Sequence, residues 1–283
     1  MIINFEPVIS RLNFIAILLV LCSCGRESRP IISPDKPLVF DEPKNSPEAD
    51  SAHVQEDELD SLVSNDSWDR IYQYNVEERL SEYGENNKET RFKISTSFGE
   101  IKVKLYNSTP LHRASMVLLI KKGLFNGSRF YRVREDFIIQ GGFTDGPGAF
   151  EKLIEIGRYK VPPEIDMNSH PHVRGAFALA GADFIPGVSR DKKSNPFTFY
   201  IVQGSVHSDA SLTSIEKAYG LDLSDENKNR YKKQGGTPHL DNQYTVCGEV
   251  YSGMNVVEKI NKVKTNRSEQ PNESIYLSVS LIE

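Results

Sequence analysis

The chain has 283 residues, 26% of them charged and 38% hydrophobic, with a formal net charge of −5 at pH 7. That length holds one large domain or two ordinary ones, and an aromatic content of 10% is too high for a chain disordered throughout. A net negative charge without a basic tract argues against nucleic acid as a partner.

Taken in chain order, residues 13–22 are apolar after Asn13, with Arg11 before them and Ser23-Cys24-Gly25 after them. Ten residues are too few to span roughly 30 Å of hydrocarbon as a helix, so the stretch reads as the apolar region of a secretory signal peptide. Leu21-Cys22-Ser23-Cys24 resembles the bacterial lipobox, which implies cleavage after residue 23 and a lipid on Cys24. The protein is therefore expected to be exported and anchored to a bacterial membrane, on the periplasmic side or at the outer membrane. With Cys22 removed and Cys24 acylated, Cys247 has no disulfide partner and is expected to be a small buried apolar residue.

Residues 24–55 carry Pro30, Pro34, Pro37, Pro43 and Pro47 among serines and acids, which interrupts helix and sheet ladders and reads as a tether. From 56 to 90 the apolar residues Leu59, Leu62, Val63, Ile71, Val76 and Leu80 recur at helical spacing. This predicts an amphipathic extension of one or two helices, either packed on the following domain or prolonging the tether.

The compact domain is predicted over 91–283. Phe92 and Ile94, then Ile101, Val103 and Leu105, alternate with polar residues about Ser97-Phe98-Gly99-Glu100, a hairpin pattern. Thr109 as cap and Pro110 at the first helical position open a helix running to Gly123. Short β-type runs follow at 130–133, 137–139, 175–180, 197–202, 245–251 and 275–282, with a second helix at about 254–263. Many short strands and two helices predict a mainly β fold, a closed barrel capped at its ends, because closure leaves no open strand edge. Residues 208–234 read as a helical insertion, with a capped start at Ser224-Asp225-Glu226 and stops at Gly220 and Gly235. His170, His172, His207 and His239 fall in turn-like contexts and read as solvated loop residues, so no metal is expected.

Phe130-Tyr131-Arg132-Val133 followed by Phe137-Ile138-Ile139-Gln140-Gly141-Gly142 resembles the cyclophilin signature Phe-His-Arg-Val and Phe-Met-x-Gln-Gly-Gly. Phe98-Gly99-Glu100, Lys122-Gly123-Leu124-Phe125-Asn126-Gly127, Phe199-Tyr200-Ile201-Val202, Leu240-Asp241 and Gly248-Glu249-Val250 agree in the same order. The resemblance implies an eight-stranded antiparallel barrel and peptidyl-prolyl cis-trans isomerase activity without a cofactor. It also implies proline-containing polypeptides as partners and a monomeric state.

The chemistry suits those residue types. Amide resonance sets the rotation barrier at about 18–20 kcal/mol, and no proton transfer or nucleophile is needed to lower it. A donor aimed at the twisted X-Pro bond favours the transition state over either planar form. Arg132 is the candidate donor, since a guanidinium stays charged and presents a rigid fork. By the resemblance, Phe137, Ile138, Tyr200 and Leu240 form the proline socket, and Gln140 bonds the substrate backbone or Arg132. Ala180, Gly181, Thr198, His239 and Tyr244 complete the substrate groove, while Gly141 and Gly142 allow a bend or a close backbone approach.

Some positions depart from the family pattern. Thr198 replaces a glutamine, Gly181 an asparagine, Ile138 a methionine and Tyr244 a histidine, and Tyr200 is expected to add a hydroxyl to the proline pocket. These changes bear on turnover, substrate range and binding of cyclosporin-type ligands. They also leave open an alternative, a non-catalytic proline-peptide-binding chaperone or scaffold.

Overall fold

A computed structural model describes residues 70–142, 149–181 and 191–282. The expected signal peptide, the Cys24 attachment site, the 24–55 tether and the first part of the 56–90 extension lie outside them. Eight strands, β1 (Arg91–Thr96), β2 (Gly99–Leu105), β3 (Ser128–Arg134), β4 (Ile138–Gly142), β5 (Ala176–Gly181), β6 (Ser194–Val202), β7 (Val246–Ser252) and β8 (Ile275–Leu281), form a closed barrel. Their order is β1-β2-β7-β5-β6-β4-β3-β8, and the paired strands are antiparallel, as in β1 with β8 and β4 with β6. The sequence expectation of a closed, mainly β, eight-stranded barrel holds.

The alternation read in the first hairpin decides what faces inward. Phe92, Ile94, Ile101 and Val103 are fully buried, and Leu105 nearly so. They meet an aromatic core in which the Phe177 ring lies 5.3 Å from both Phe92 and Phe199. Cys247 sits in this core with a free thiol, and burial pushes its pKa up, so it behaves as a small apolar residue.

Two helices, Pro110–Lys121 and Met254–Asn261, pack against the barrel strands. The helix α1 (Val76–Asn86) precedes β1, and α2 (Pro110–Lys121) follows β2. Most of α2 is inaccessible to solvent, whereas α6 (Met254–Asn261) buries only one face, through Val256, Val257 and Ile260. Pro110 opens α2 as expected, but the Thr109 side chain makes no cap bond. The cap comes from Glu164 instead, whose carboxylate accepts the backbone N–H groups of Leu111 (3.0 Å) and His112 (2.9 Å). A carboxylate beside the positive end of a helix satisfies two orphan donors with charge-assisted bonds. The same carboxylate lies 2.6 Å from His112 Nδ1, whose Nε2 is 2.9 Å from Ser194 Oγ. Helix, loop and β6 are thereby tied together.

The described part of the 56–90 extension packs on α2 through α1, which buries Val76 and Leu80. Its end is held by Arg113 of α2, which donates to the carbonyls of Gly84 (3.0 Å) and Asn87 (2.7 Å). A cation on the last carbonyls of a helix complements its dipole. A short helix absent from the sequence reading, α3 (Ala149–Ile156), joins this region through the bond from Ile71 N–H to the Ile156 carbonyl (2.8 Å).

The insertion consists of α4 (Asp209–Tyr219) and α5 (Asp225–Gln234). As the sequence points to, Ser224 caps α5 by accepting from Asn227 N–H, Gly220 closes α4 at φ 63° and Gly235 closes α5, while Ser208 adds a cap to α4 by accepting from Ser211 N–H. Leu212, Leu223 and Tyr231 give the insertion a small core of its own with Val173.

Gly142 is where the sheet tolerates no side chain. Its φ is +127°, and a Cβ there would lie 2.4 Å from the Phe197 carbonyl oxygen and 2.9 Å from Thr198 Cα across the β4–β6 ladder. Both neighbours are backbone and cannot step aside. Gly142→Ala is expected to destabilise the fold by about 3 kcal/mol, combining positive-φ strain with overpacking. The lowered midpoint of a urea unfolding curve measures it, and an unchanged midpoint would refute the close approach.

Candidate active site

The site lies outside the barrel core, on the face formed by β3, β4 and β6. On β3, Phe130 pairs with Gly141 while Arg132 pairs with Gln140, so Tyr131 is the extra residue of a bulge. A bulge re-aims side chains. Strict alternation would turn Arg132 to the side of buried Phe130; the shift of parity brings Tyr131 and Arg132 out together and returns Val133 to the core. Gln140 pairs with Tyr200 on β6, which places Arg132, Gln140 and Tyr200 in a row across three strands.

A cleft of about 300 Å³ opens over this row, lined by Tyr131, Arg132, Phe137, Ile138, Gln140, Ala180, Gly181, Tyr200, Leu240 and Tyr244. Apart from Thr198 and His239, every groove residue named from the sequence stands in its wall. Those two are one layer back. Thr198 bonds the hydroxyl of Tyr131, and His239 stacks on Phe137 with centroids 5.4 Å apart. The sequence reading passed over Tyr131, because its place in the wall depends on the bulge.

The polar groups of the cleft are fixed. Gln140 Nε2 donates to the Tyr131 hydroxyl at 2.8 Å, and Arg132 Nη1 donates to Gln140 Oε1 at 3.4 Å. Arg132 Nε donates to Glu269 Oε2 at 2.7 Å, and its Cζ lies 5.9 Å from the Phe137 ring centroid. Arg134 approaches the same ring at 5.4 Å and the second Glu269 oxygen at 3.5 Å. Burial raises the Tyr131 phenol above its ordinary pKa, against the hydrogen bonds of Gln140 and Thr198, and burial raises Tyr200 far more. Both tyrosines therefore stay protonated, and neither is a base or nucleophile at neutral pH.

Two sequence expectations need correction here. His172 is not a solvated loop residue: it is 1% exposed, with Nδ1 2.8 Å from Asp241 Oδ1 and Nε2 2.9 Å from the Tyr200 hydroxyl. Nor is the Tyr200 hydroxyl an open polar group of the proline pocket, since this buried imidazole engages it. The phenol donates to Nε2 while Nδ1–H donates to Asp241, an arrangement that satisfies each group. Asp241 also accepts the His172 backbone N–H (2.8 Å) and the Tyr231 hydroxyl (2.6 Å).

Gly181 and Tyr244 depart from the family pattern together, for one reason. A Cβ on Gly181 would fall 2.8 Å from Tyr244 Cε1, so the tyrosine ring fills the space that a side chain at position 181 would need.

Barrel topology and signature row together are those of the cyclophilin class. The family model for the cyclophilin type peptidyl-prolyl cis-trans isomerase/CLD matches residues 91–280, and the chain belongs to that family. A Staphylococcus saprophyticus protein named "Putative peptidyl-prolyl cis-trans isomerase" is 26% identical over 201 residues, covering 70% of this chain and 94% of its own. A Staphylococcus aureus protein of the same name is 27% identical, covering 68% and 93%. A Streptococcus pyogenes bifunctional phosphatase/peptidyl-prolyl cis-trans isomerase, named with the same qualifier, is 27% identical over 68% of this chain, which spans only 38% of that longer protein. The crystal structure of a Cryptosporidium parvum cyclophilin type isomerase aligns over 69% of this chain and 98% of its own, at 17% identity and a TM-score of 0.47.

Proposed function

We propose that the chain isomerises X-Pro bonds of exported or envelope polypeptides, with Arg132 stabilising the twisted imide and with Cys24 anchoring the enzyme to a membrane. The observation that carries the chemical part is a guanidinium fixed at the wall of an apolar cleft, with Phe137, Ile138, Leu240 and Tyr200 around it. The proline ring is bound by apolar contact in both planar states and in the twisted one, which is uniform binding. The cation interacts most strongly with the oxygen of an amide whose resonance is broken, which is differential binding and lowers the barrier. The cleft needs no metal or organic cofactor for this. Acceleration of cis-trans exchange in a proline tetrapeptide by the purified full chain tests the reading, and an exchange rate equal to that in buffer would reject it. Mass spectrometry of the N-terminal peptide tests the anchor, which an unacylated Cys24 would exclude.

A non-catalytic peptide-binding module is the second reading. It is favoured by the neutralising Glu269 carboxylate against Arg132, and peptide binding without rate enhancement would support it.

The role of Glu269 separates two physical effects. Its charge weakens the field of Arg132, but its bond to Nε holds a long side chain in one rotamer, leaving the two terminal nitrogens for Gln140 and substrate. The pair is about one third exposed, at 37% and 33%. Solvent therefore screens the charge term, and rotamer restriction is the larger effect. As a positioning residue, Glu269→Ala is expected to lower kcat by about threefold to tenfold with little change in KM. Glu269→Gln, whose amide oxygen can still accept from Nε, should recover most of the rate. A rate increase in Glu269→Ala would mean that charge damping dominates.

A further inference from the structure

We propose that the α4–α5 insertion extends the substrate groove through Tyr219, forming a subsite for an aromatic or large apolar side chain two or three residues from the proline of a bound polypeptide. This rests on the proline-peptide reading of the cleft and adds a substrate class to it.

Three rings make successive contacts, starting from the cleft wall. Phe137 belongs to the cleft wall. His239 stacks on it with centroids 5.4 Å apart and planes at 20°, and Tyr219 follows at 5.7 Å from His239, tilted by 43°. An extended peptide advances roughly 3.3 Å per residue, so those two steps span at most about three residues from the proline socket. Tyr219 is 52% exposed at the end of the row.

Solitary exposed aromatics need no explanation. Tyr74 and Tyr276 are more exposed still, at 82% and 62%, and neither joins the cleft wall. Tyr219 differs in being continuous with it.

The support beneath Tyr219 is rigid. Ser208 caps α4 and Gly220 ends it directly after the tyrosine. Leu212 fixes the helix against Leu223 and Tyr231, and the Tyr231 hydroxyl bonds Asp241, which follows the 3₁₀ turn Pro238–Leu240 that carries His239. Insertion and aromatic row are thus held by one set of bonds, so the subsite exists before the peptide arrives. Preorganisation of this kind saves the ordering cost of binding. Burial keeps His239 below the ordinary histidine pKa, which favours an uncharged ring in the middle of the row.

The experiment compares proline heptapeptides that carry Phe or Gly at the second and third positions on either side of the proline. It is run on the full chain and on its Tyr219→Ser variant, with kcat/KM from exchange measurements and Kd from calorimetry. The wild type is expected to prefer Phe by about threefold to tenfold on one side of the proline, the range of a single aromatic contact. In Tyr219→Ser the ratio should fall toward one. A preference that survives the substitution, or no preference in the wild type, overturns the subsite. If the wild type catalyses nothing but binds Phe peptides more tightly and the variant loses that margin, the subsite stands and the isomerase reading falls. Absence of both turnover and binding removes both.

Discussion

Arg132→Ala is expected to lower kcat/KM for a proline tetrapeptide by roughly a hundredfold to a thousandfold, the loss seen when one preorganised donor is removed from a transition state. The fold should be untouched. The side chain is 37% exposed and its ion pair with Glu269 is open to solvent, so its removal changes stability by less than about 1 kcal/mol. Peptide affinity should change little, since the socket of Phe137, Ile138, Tyr200 and Leu240 remains. The signature of the proposed mechanism is therefore a fall in kcat with KM nearly constant. Arg132→Lys refines the test. It keeps the charge but replaces the fork with a point donor, which can pair with Glu269 or approach the substrate but not hold the three-way geometry with Gln140. A rate near that of the alanine variant would assign the effect to geometry, and one near wild type to charge. Wild-type turnover in Arg132→Ala would remove Arg132 from the mechanism.

What the sequence discloses about this site follows from separation along the chain. The row of Arg132 and Gln140 is written in two neighbouring strands, eight residues apart, and the alternating pattern of the first hairpin gave its inward face directly. The bonds that complete the site span much longer separations: Glu269 reaches Arg132 across 137 residues, and His172 reaches Asp241 across 69. No periodicity records such pairs. Glu164 caps a helix 53 residues before it, displacing a local rule that favoured Thr109. Tyr131 was hidden by the bulge, which breaks the period of two on which a strand reading relies. His172 read as a loop histidine because turn-like neighbours fix local conformation but not burial. The departures at Gly181 and Tyr244 were legible singly, and only the 2.8 Å approach between them shows that one accommodates the other.

The second large effect is expected at Asp241, and it concerns stability. Its carboxylate is 1% exposed and accepts from the His172 backbone N–H, from His172 Nδ1 and from the Tyr231 hydroxyl. These donors come from the segment before β5 and from the insertion, so the carboxylate joins the barrel to α5. Asp241→Ala strands three buried donors at once. Each costs about 1–3 kcal/mol when left unpaired, and relaxation recovers part of the sum, giving an expected loss of about 4 kcal/mol. That is a large share of the roughly 5–15 kcal/mol available to a domain. Asp241→Asn should cost less, since the amide oxygen can accept from His172 while the amide N–H₂ donates to the Tyr231 oxygen. The cost also reaches the cleft. Without the carboxylate, nothing holds the proton of His172 on Nδ1, and the Tyr200 hydroxyl loses the fixed acceptor that keeps its ring as the pocket floor. In a urea titration the alanine variant should unfold at a markedly lower midpoint, and under native conditions its KM should rise more than its kcat falls. A midpoint equal to wild type would show that water replaces the carboxylate at no cost, and the structural link between insertion and pocket floor would then be lost.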